Sequence, residues 1–240
     1  MPTAQGRLHY YYGLEQMRCL ASWVVTAGAT VVLGSLGIIV SFVDYRGDIT
    51  HACARFWART FLWIHGVHLD ARGLAELVPG TDYVFVANHN SALDIPALLA
   101  ALPLRFRMVA KESLFRIPFL GWYMRRVGYV PVPRSSATDL GEAARALQNS
   151  SILVFPEGTR TDEQELARFR KGGFFLARQT ESPIVPVAVI NSGRLLPRGK
   201  AWVNLGVVEV RVGKPIDSTG DESLAELAER CRTAVATLPL

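Results

Sequence analysis

A 240-residue chain that is 50% hydrophobic, with a mean hydropathy of +0.19, is too apolar for a wholly soluble enzyme and too polar for a polytopic transporter. Its length suits one sizeable α/β domain with an appendage and excludes two full domains of ordinary size. The formal charge of +5 is spread along the chain without the dense basic runs of a nucleic-acid-binding arm, so an anionic bilayer or a phosphorylated substrate is expected and nucleic acid is not.

In chain order, the first feature is the run from Cys19 to Val43, which contains no charged side chain. As a helix rising about 1.5 Å per residue it would be long enough to cross a hydrocarbon core of about 30 Å. It exceeds the apolar region of a signal peptide and ends without a small-residue cleavage site. A second segment, Ile49 to Val67, interleaves Phe56, Trp57, Phe61 and Trp63 with Arg55 and Arg59, a texture suited to the headgroup zone. Residues 1–65 are therefore expected to form a membrane-anchoring pair of helices, either crossing the bilayer or entering and returning. Arg7 and Arg18 before the run and Arg46, Arg55 and Arg59 after it leave the topology open.

From Gly66 onward, short apolar runs alternate with helical stretches. Asp82–Ala87, Phe106–Ala110, Tyr129–Val132, Ser151–Phe155 and Ile184–Ile190 read as buried strands, nearly continuous in β-branched and aromatic residues. Ile95–Leu102, Pro118–Arg126, Thr138–Gln148 and Lys171–Thr180 have helical spacing. Val203–Val212 reads as a further strand or hairpin, and Asp221–Leu238 as a closing helix. The alternation predicts an α/β domain over 66–240, with a mostly parallel mixed sheet and helices on both faces. Cys19, Cys53 and Cys231 are odd in number, far apart and free of CxxC spacing, which speaks against a disulfide framework or a metal site.

Two segments carry chemistry. Asn88-His89-Asn90-Ser91-Ala92-Leu93-Asp94 follows the strand Asp82–Ala87. Five residues apart on a regular helix, His89 and Asp94 would diverge by about 140°. They can meet if His89 lies in the strand-to-helix loop and Asp94 in the first turn, a start supported by Ser91 or Asp94 as cap and by Pro96. Asp94 could then fix the imidazole tautomer and leave the other nitrogen as a general base. The second segment, Phe155-Pro156-Glu157-Gly158-Thr159-Arg160, follows another buried strand, where open α/β sheets bind ligands. Gly158 permits close backbone approach, and Arg160 offers a planar donor fork for phosphate oxygens. Glu157 would repel a phosphate, so its reading is to hold Arg160 or to bond a substrate hydroxyl or a backbone amide. His9, His51, His65 and His68 lack such a setting and read as interfacial or surface residues.

Together, NHxxxxD and the later FPEGTR resemble the glycerolipid acyltransferase family, in particular its 1-acyl-glycerol-3-phosphate acyltransferases. Gly128-Tyr129-Val130-Pro131-Val132-Pro133-Arg134 resembles that family's second block, Ile184-Val185-Pro186-Val187-Ala188 its fourth, and Lys111-Glu112-Ser113-Leu114 the lysine-bearing stretch between the first two. The resemblance runs from about Gly66 to Val189 in matching order. It implies that His89 deprotonates the acceptor hydroxyl with Asp94 orienting it. It also implies that Lys111, Arg134, Glu157, Gly158, Thr159 and Arg160 frame the acceptor's glycerol phosphate, and that Pro186 and its neighbours shape the acyl pocket. The implied reaction moves a fatty acyl group from acyl-CoA or acyl-ACP, a substrate and not a cofactor, to the sn-2 hydroxyl of 1-acyl-glycerol-3-phosphate. Glycerol-3-phosphate or another lysophospholipid or lyso-aminolipid is the alternative acceptor. Membrane lipid and, for an ACP donor, acyl carrier protein are the implied partners, with a location at the inner or cytoplasmic membrane and the site facing the cytoplasm. No GxSxG elbow is present, so direct transfer without an acyl-enzyme is expected. Pro131 and Pro133 depart from the family's strand residues, and Thr161 stands where serine is commoner. A hydrolase using His89 to activate water, and a non-catalytic lipid-binding module, are the rival classes.

Overall fold

The computed structural model describes residues 4–44, 47–117, 120–132, 150–161 and 166–238. The helix expected at Thr138–Gln148, together with Pro133 and Arg134, lies outside the described residues.

Seven strands form one sheet: β1 (Val67–Arg72), β2 (Val84–Ala87), β3 (Phe106–Lys111), β4 (Val130–Val132), β5 (Ser151–Val154), β6 (Ile184–Ile190) and β7 (Gly206–Val212). Their spatial order is β1-β7-β6-β2-β5-β3-β4. β6, β2, β5, β3 and β4 run parallel; β7 opposes β6, and β1 is parallel to β7. The mostly parallel mixed sheet expected from the alternation is what forms.

The two-residue period of the strands sorts their side chains between two cores. Phe85 and Ala87, Leu153, and Val185 and Val187 join one; Val84 and Val86, Ile152 and Val154, and Ile184 and Ala188 join the other. Helices cover both: α2 (Asp48–Ile64) and α3 (Asp94–Ala101) on the first face, and the later helices α5 (Gly172–Gln179) and α7 (Leu224–Thr237) on the second. The remaining helices are α1 (Ala4–Val40), α4 (Leu120–Arg126) and the one-turn α6 (Ser192–Leu195). Helix α7 starts three residues later than its apolar pattern suggested. Ser223 and Glu226 form a reciprocal capping box that fixes the start: Glu226 N donates to Ser223 Oγ at 3.3 Å and Ser223 N to Glu226 Oε2 at 2.8 Å.

Of the strand or hairpin expected at Val203–Val212, a single strand forms, over Gly206–Val212. β1 has no counterpart among the expected strands, and Pro131 sits in an edge strand, opposite Ala110, where proline is tolerated.

The N-terminal pair divides its labour. Within α1, Met17–Val40 has a mean hydropathy of 2.0 and is 11% buried; among the described residues it is the one helix long and apolar enough to cross a membrane. Helix α2 is amphipathic. Ala54, Ala58, Phe61 and Leu62 enter the first core, whereas Phe56 and Trp63 face outward. Polar contacts join the two helices: Thr26 Oγ1 with His65 Nε2 at 3.0 Å, and Trp57 Nε1 donating to Thr30 Oγ1 at 2.9 Å.

His51 and His65, expected at an interface or a surface, are both buried. The His51 ring packs edge-on against Phe106 at 5.0 Å. Burial, followed by repulsion from Arg55 and Arg105, pulls its pKa down to about 4. The folded ring therefore stays neutral while the unfolded ring protonates near 6.5. Between those values the unfolded state binds more protons, so stability falls as pH drops from 6.5, and this contribution is gone by about 4. The loss should be on the order of 3 kcal/mol. Thermal unfolding followed at pH 7 and pH 5 should show a smaller acid shift in His51→Phe than in the parent chain.

Candidate active site

Parallel strands place their carboxyl ends on one edge of the sheet, and the two chemistry-bearing loops leave that edge from neighbouring strands, β2 and β5. Asn88 opens the first loop by extending the sheet with its side chain. Its amide nitrogen donates to Val189 O at 2.9 Å, and Val189 N donates to its amide oxygen at 2.7 Å. Asn88 thus pins the exit of β2 to β6, 101 residues away in sequence.

Asp94 is fully buried in the first turn of α3, where the helix dipole favours a carboxylate. Its Oδ2 accepts from Asn90 N at 2.8 Å and Ser91 N at 2.9 Å, and lies 2.7 Å from His89 Nδ1. Two backbone donors already converge on that oxygen, so the imidazole proton belongs on Nδ1 and the lone pair on Nε2. Nε2 has no protein partner among the described residues. The ring stacks on Phe155 with centroids 4.2 Å apart, leaving its side chain 15% exposed.

Glu157 is buried, and it bonds protein rather than solvent. Oε1 accepts from His89 N at 2.8 Å; Oε2 accepts from the Thr161 hydroxyl and from Ala167 N at 3.4 Å. Thr161 N in turn donates to His89 O at 2.9 Å. Both backbone groups of His89 are therefore held by the β5 turn. Of the roles open to Glu157 in the sequence, the backbone-amide bond is the one that forms.

The rest of the set is arranged around this pair. Gly158 has φ 71, a left-handed conformation, and a Cβ there would lie 2.7 Å from the Arg170 guanidinium carbon. Thr159 is exposed. Arg160 is half-buried, and no side chain among the described residues pairs with its guanidinium; its carbonyl accepts from Arg198 at 3.3 Å. Lys111 ends β3 on the same edge, exposed and one strand beyond β5. Ser91 is unavailable as a nucleophile. It is fully buried, donates to Leu196 O at 2.7 Å and accepts from Leu93 N at 3.2 Å. Pro186 is buried within β6.

Sequence reasoning assigned no role to Asn88, Phe155 or Arg170. The basic cluster Arg168, Arg170 and Lys171 was a usable signal for the last of these, whereas the ring under His89 and the cross-sheet amide have no local signature. Among the described residues no cluster of three His, Cys, Asp or Glu could hold a metal.

This geometry has counterparts. A family model described as acyltransferase matches residues 68–190. The chain is 34% identical over 226 residues to a chloroplastic 1-acyl-sn-glycerol-3-phosphate acyltransferase of Brassica napus, covering 88% of this chain and 64% of that protein. With the 1-acyl-sn-glycerol-3-phosphate acyltransferase of Saccharomyces cerevisiae it shares 33% identity over 243 residues, covering 95% and 76%. The chain thus spans just under two thirds of the plant relative's length. Its fold matches a crystal structure of the 1-acyl-sn-glycerophosphate acyltransferase from Thermotoga maritima with a TM-score of 0.81 and 24% identity, over 93% of this chain and 94% of that one.

Proposed function

Since the chain belongs to the acyltransferase family, we propose that it transfers a fatty acyl group from a thioester donor to the sn-2 hydroxyl of a 1-acyl-glycerol-3-phosphate. The observation that carries this reading is the 2.7 Å contact between His89 Nδ1 and Asp94, which leaves Nε2 a free base at the ligand edge of the sheet. Nε2 takes the proton of the acceptor hydroxyl as its oxygen attacks the thioester carbonyl. The tetrahedral intermediate expels the thiolate, and the proton held by His89 passes to the leaving sulfur. A thioester is already activated, so a positioned alkoxide suffices and no covalent enzyme intermediate is needed.

Arg160, with Lys111 and Arg134, is assigned to the acceptor phosphate. The curated relatives named for the phosphorylated acceptor favour that choice, as does the guanidinium of Arg160, which no side chain among the described residues pairs with. Charge-assisted bonds of this kind contribute about 1.5–3 kcal/mol. Arg160→Ala should therefore raise KM for the acceptor about ten- to hundredfold while changing kcat little, as read from steady-state thiol release. The apolar stretch Met17–Val40, long and apolar enough to cross a membrane, supports a membrane location, with the lipid acceptor drawn from the bilayer.

The test is an acceptor screen on the purified full chain in detergent, with coenzyme A and acyl-carrier-protein thioesters offered separately. Thiol release and the lipid product should be greatest with 1-acyl-glycerol-3-phosphate, and lower with glycerol-3-phosphate or a lyso-aminolipid. Equal thioester consumption without any acceptor would identify a hydrolase instead.

A further inference from the structure

Beside the β5 turn lies a cavity of about 620 Å³. Small-molecule sites typically enclose roughly 300–1,000 Å³. Glu157, Arg168, Arg170 and Lys171 line it, together with Ala228 and Glu229 of α7. Phe169 and Ala228 also belong to the second core, so the cavity sits on the face covered by α5 and α7. The long apolar helix α1 lies over the other face, where Trp23 packs against the first core.

One carboxylate joins this cavity to the catalytic loop. Glu157 Oε1 accepts from His89 N at 2.8 Å, and its Oε2 accepts from Ala167 N, a lining residue, at 3.4 Å. The wall is tied to the same turn a second time, because Arg170 N donates to Pro156 O at 2.9 Å.

Arg170 is held in place and its charge is not used. Its guanidinium rests on Gly158, where a Cβ would lie 2.7 to 2.9 Å from three of its atoms. The side chain is exposed, as is that of Lys171, and among the described residues no carboxylate pairs with either. Both carboxylates of the lining are committed elsewhere. Glu157 holds the backbone of the site, and Glu229 pairs with Arg232 at 2.6 Å. The hydrogen bond from Arg232 and, less strongly, the charge of Arg168 hold the Glu229 carboxyl below its ordinary value. Arg168 thus serves Glu229, whereas Arg170 and Lys171 are left for a ligand. A fixed guanidinium beside an ammonium suits phosphate oxygens.

Position decides which phosphates. A lipid acceptor comes to His89 from the side of α1. A polyanion is costly to bring past apolar surface and approaches from water, which favours the α5–α7 face. We propose that this cavity holds the nucleotide phosphates of a coenzyme A thioester, with Arg170 and Lys171 as their ligands and the pantetheine arm passing round the Glu157–Thr161 turn to His89. The assignment rests on the acyl-transfer reading and names its donor. Each substrate then enters from its own medium, and the His89 loop stands where the two faces meet.

Steady-state thiol release with acyl-coenzyme A and with acyl-pantetheine, the same thioester without the phosphates, tests this. Arg170→Gln combined with Lys171→Gln should raise KM for acyl-coenzyme A at least about tenfold. KM for acyl-pantetheine, KM for the acceptor and kcat with either donor should stay within about twofold of the parent's. Titration calorimetry of the full chain in detergent with coenzyme A requires no turnover. The parent chain and His89→Ala should bind it alike, and the double variant at least about tenfold more weakly. A parent chain that binds coenzyme A by these two side chains yet transfers no acyl group would overturn the acyl-transfer reading and support the site. Acyl transfer with an unchanged KM for acyl-coenzyme A in the double variant overturns the site alone. Equal rises in KM for both donors would reveal a structural role, and a raised KM for the acceptor would give the two cations to the acceptor phosphate; either result overturns the proposal. So does transfer from an acyl carrier protein, impaired by the double variant, in a chain that does not bind coenzyme A.

Discussion

Turnover should fall by about 10²–10⁴-fold in His89→Ala, the range general-base catalysis supplies, while acceptor affinity stays near that of the parent chain. The expectation rests on how His89 is held. Its backbone N–H bonds Glu157 and its carbonyl receives Thr161 N, so the loop does not depend on the ring. Removing the imidazole leaves that strap, the Arg160 turn and Lys111 in place. Thiol-release kinetics give kcat, and titration calorimetry with a non-reactive acceptor analogue gives binding. Loss of binding in step with loss of turnover would show that His89 has a packing role instead of a chemical one.

Asp94 supplies the second large effect, and two substitutions separate its roles. Asparagine keeps the shape and can still offer an oxygen to the three donors now converging on Oδ2. It removes the charge that steadies the imidazolium formed during transfer, and it leaves an amide NH2 at the Oδ1 position, which is buried without a partner. We expect kcat to fall about 10²–10⁴-fold, as in other His–carboxylate pairs, with Tm lowered by only a few degrees. Alanine additionally orphans the N–H groups of Asn90 and Ser91 in the interior, at about 1–3 kcal/mol each. Asp94→Ala should therefore be both inactive and clearly less stable by thermal unfolding. An Asp94→Asn protein with near-normal kcat would remove the carboxylate from the catalytic scheme.

How much of this could be read in advance depended on the range of the interaction. The central strands were legible because both faces are buried, so Ile184–Ile190 and Ser151–Val154 are almost unbroken apolar runs. β1, reading Val-His-Leu-Asp-Ala-Arg, alternates and carries charge, since it lies at the sheet's edge and pairs only with β7. The contact of His89 with Asp94 was accessible because a loop followed by a helix start is a local arrangement. The burial of Glu157 was not, because it depends on two loops from adjacent strands meeting. Nor was Asn88, whose partner is fixed only when β6 lies beside β2. His51 and His65 were misplaced for a different reason. The arginines and tryptophans of α2 drew attention to its outward face, while Thr50, His51, Ala54, Ala58, Phe61 and Leu62 recur at helical spacing on the inward one.

That inward face has a mechanical consequence. Helix α2 shares its apolar side with the strands that carry the His89 and Glu157 loops, and α1 is fastened to α2 through Thr26 and Thr30. Whatever orients the long N-terminal helix must turn the whole body with it, as a keel turns a hull. The tilt of α1 in a bilayer would then fix the height at which His89 rides above the lipid.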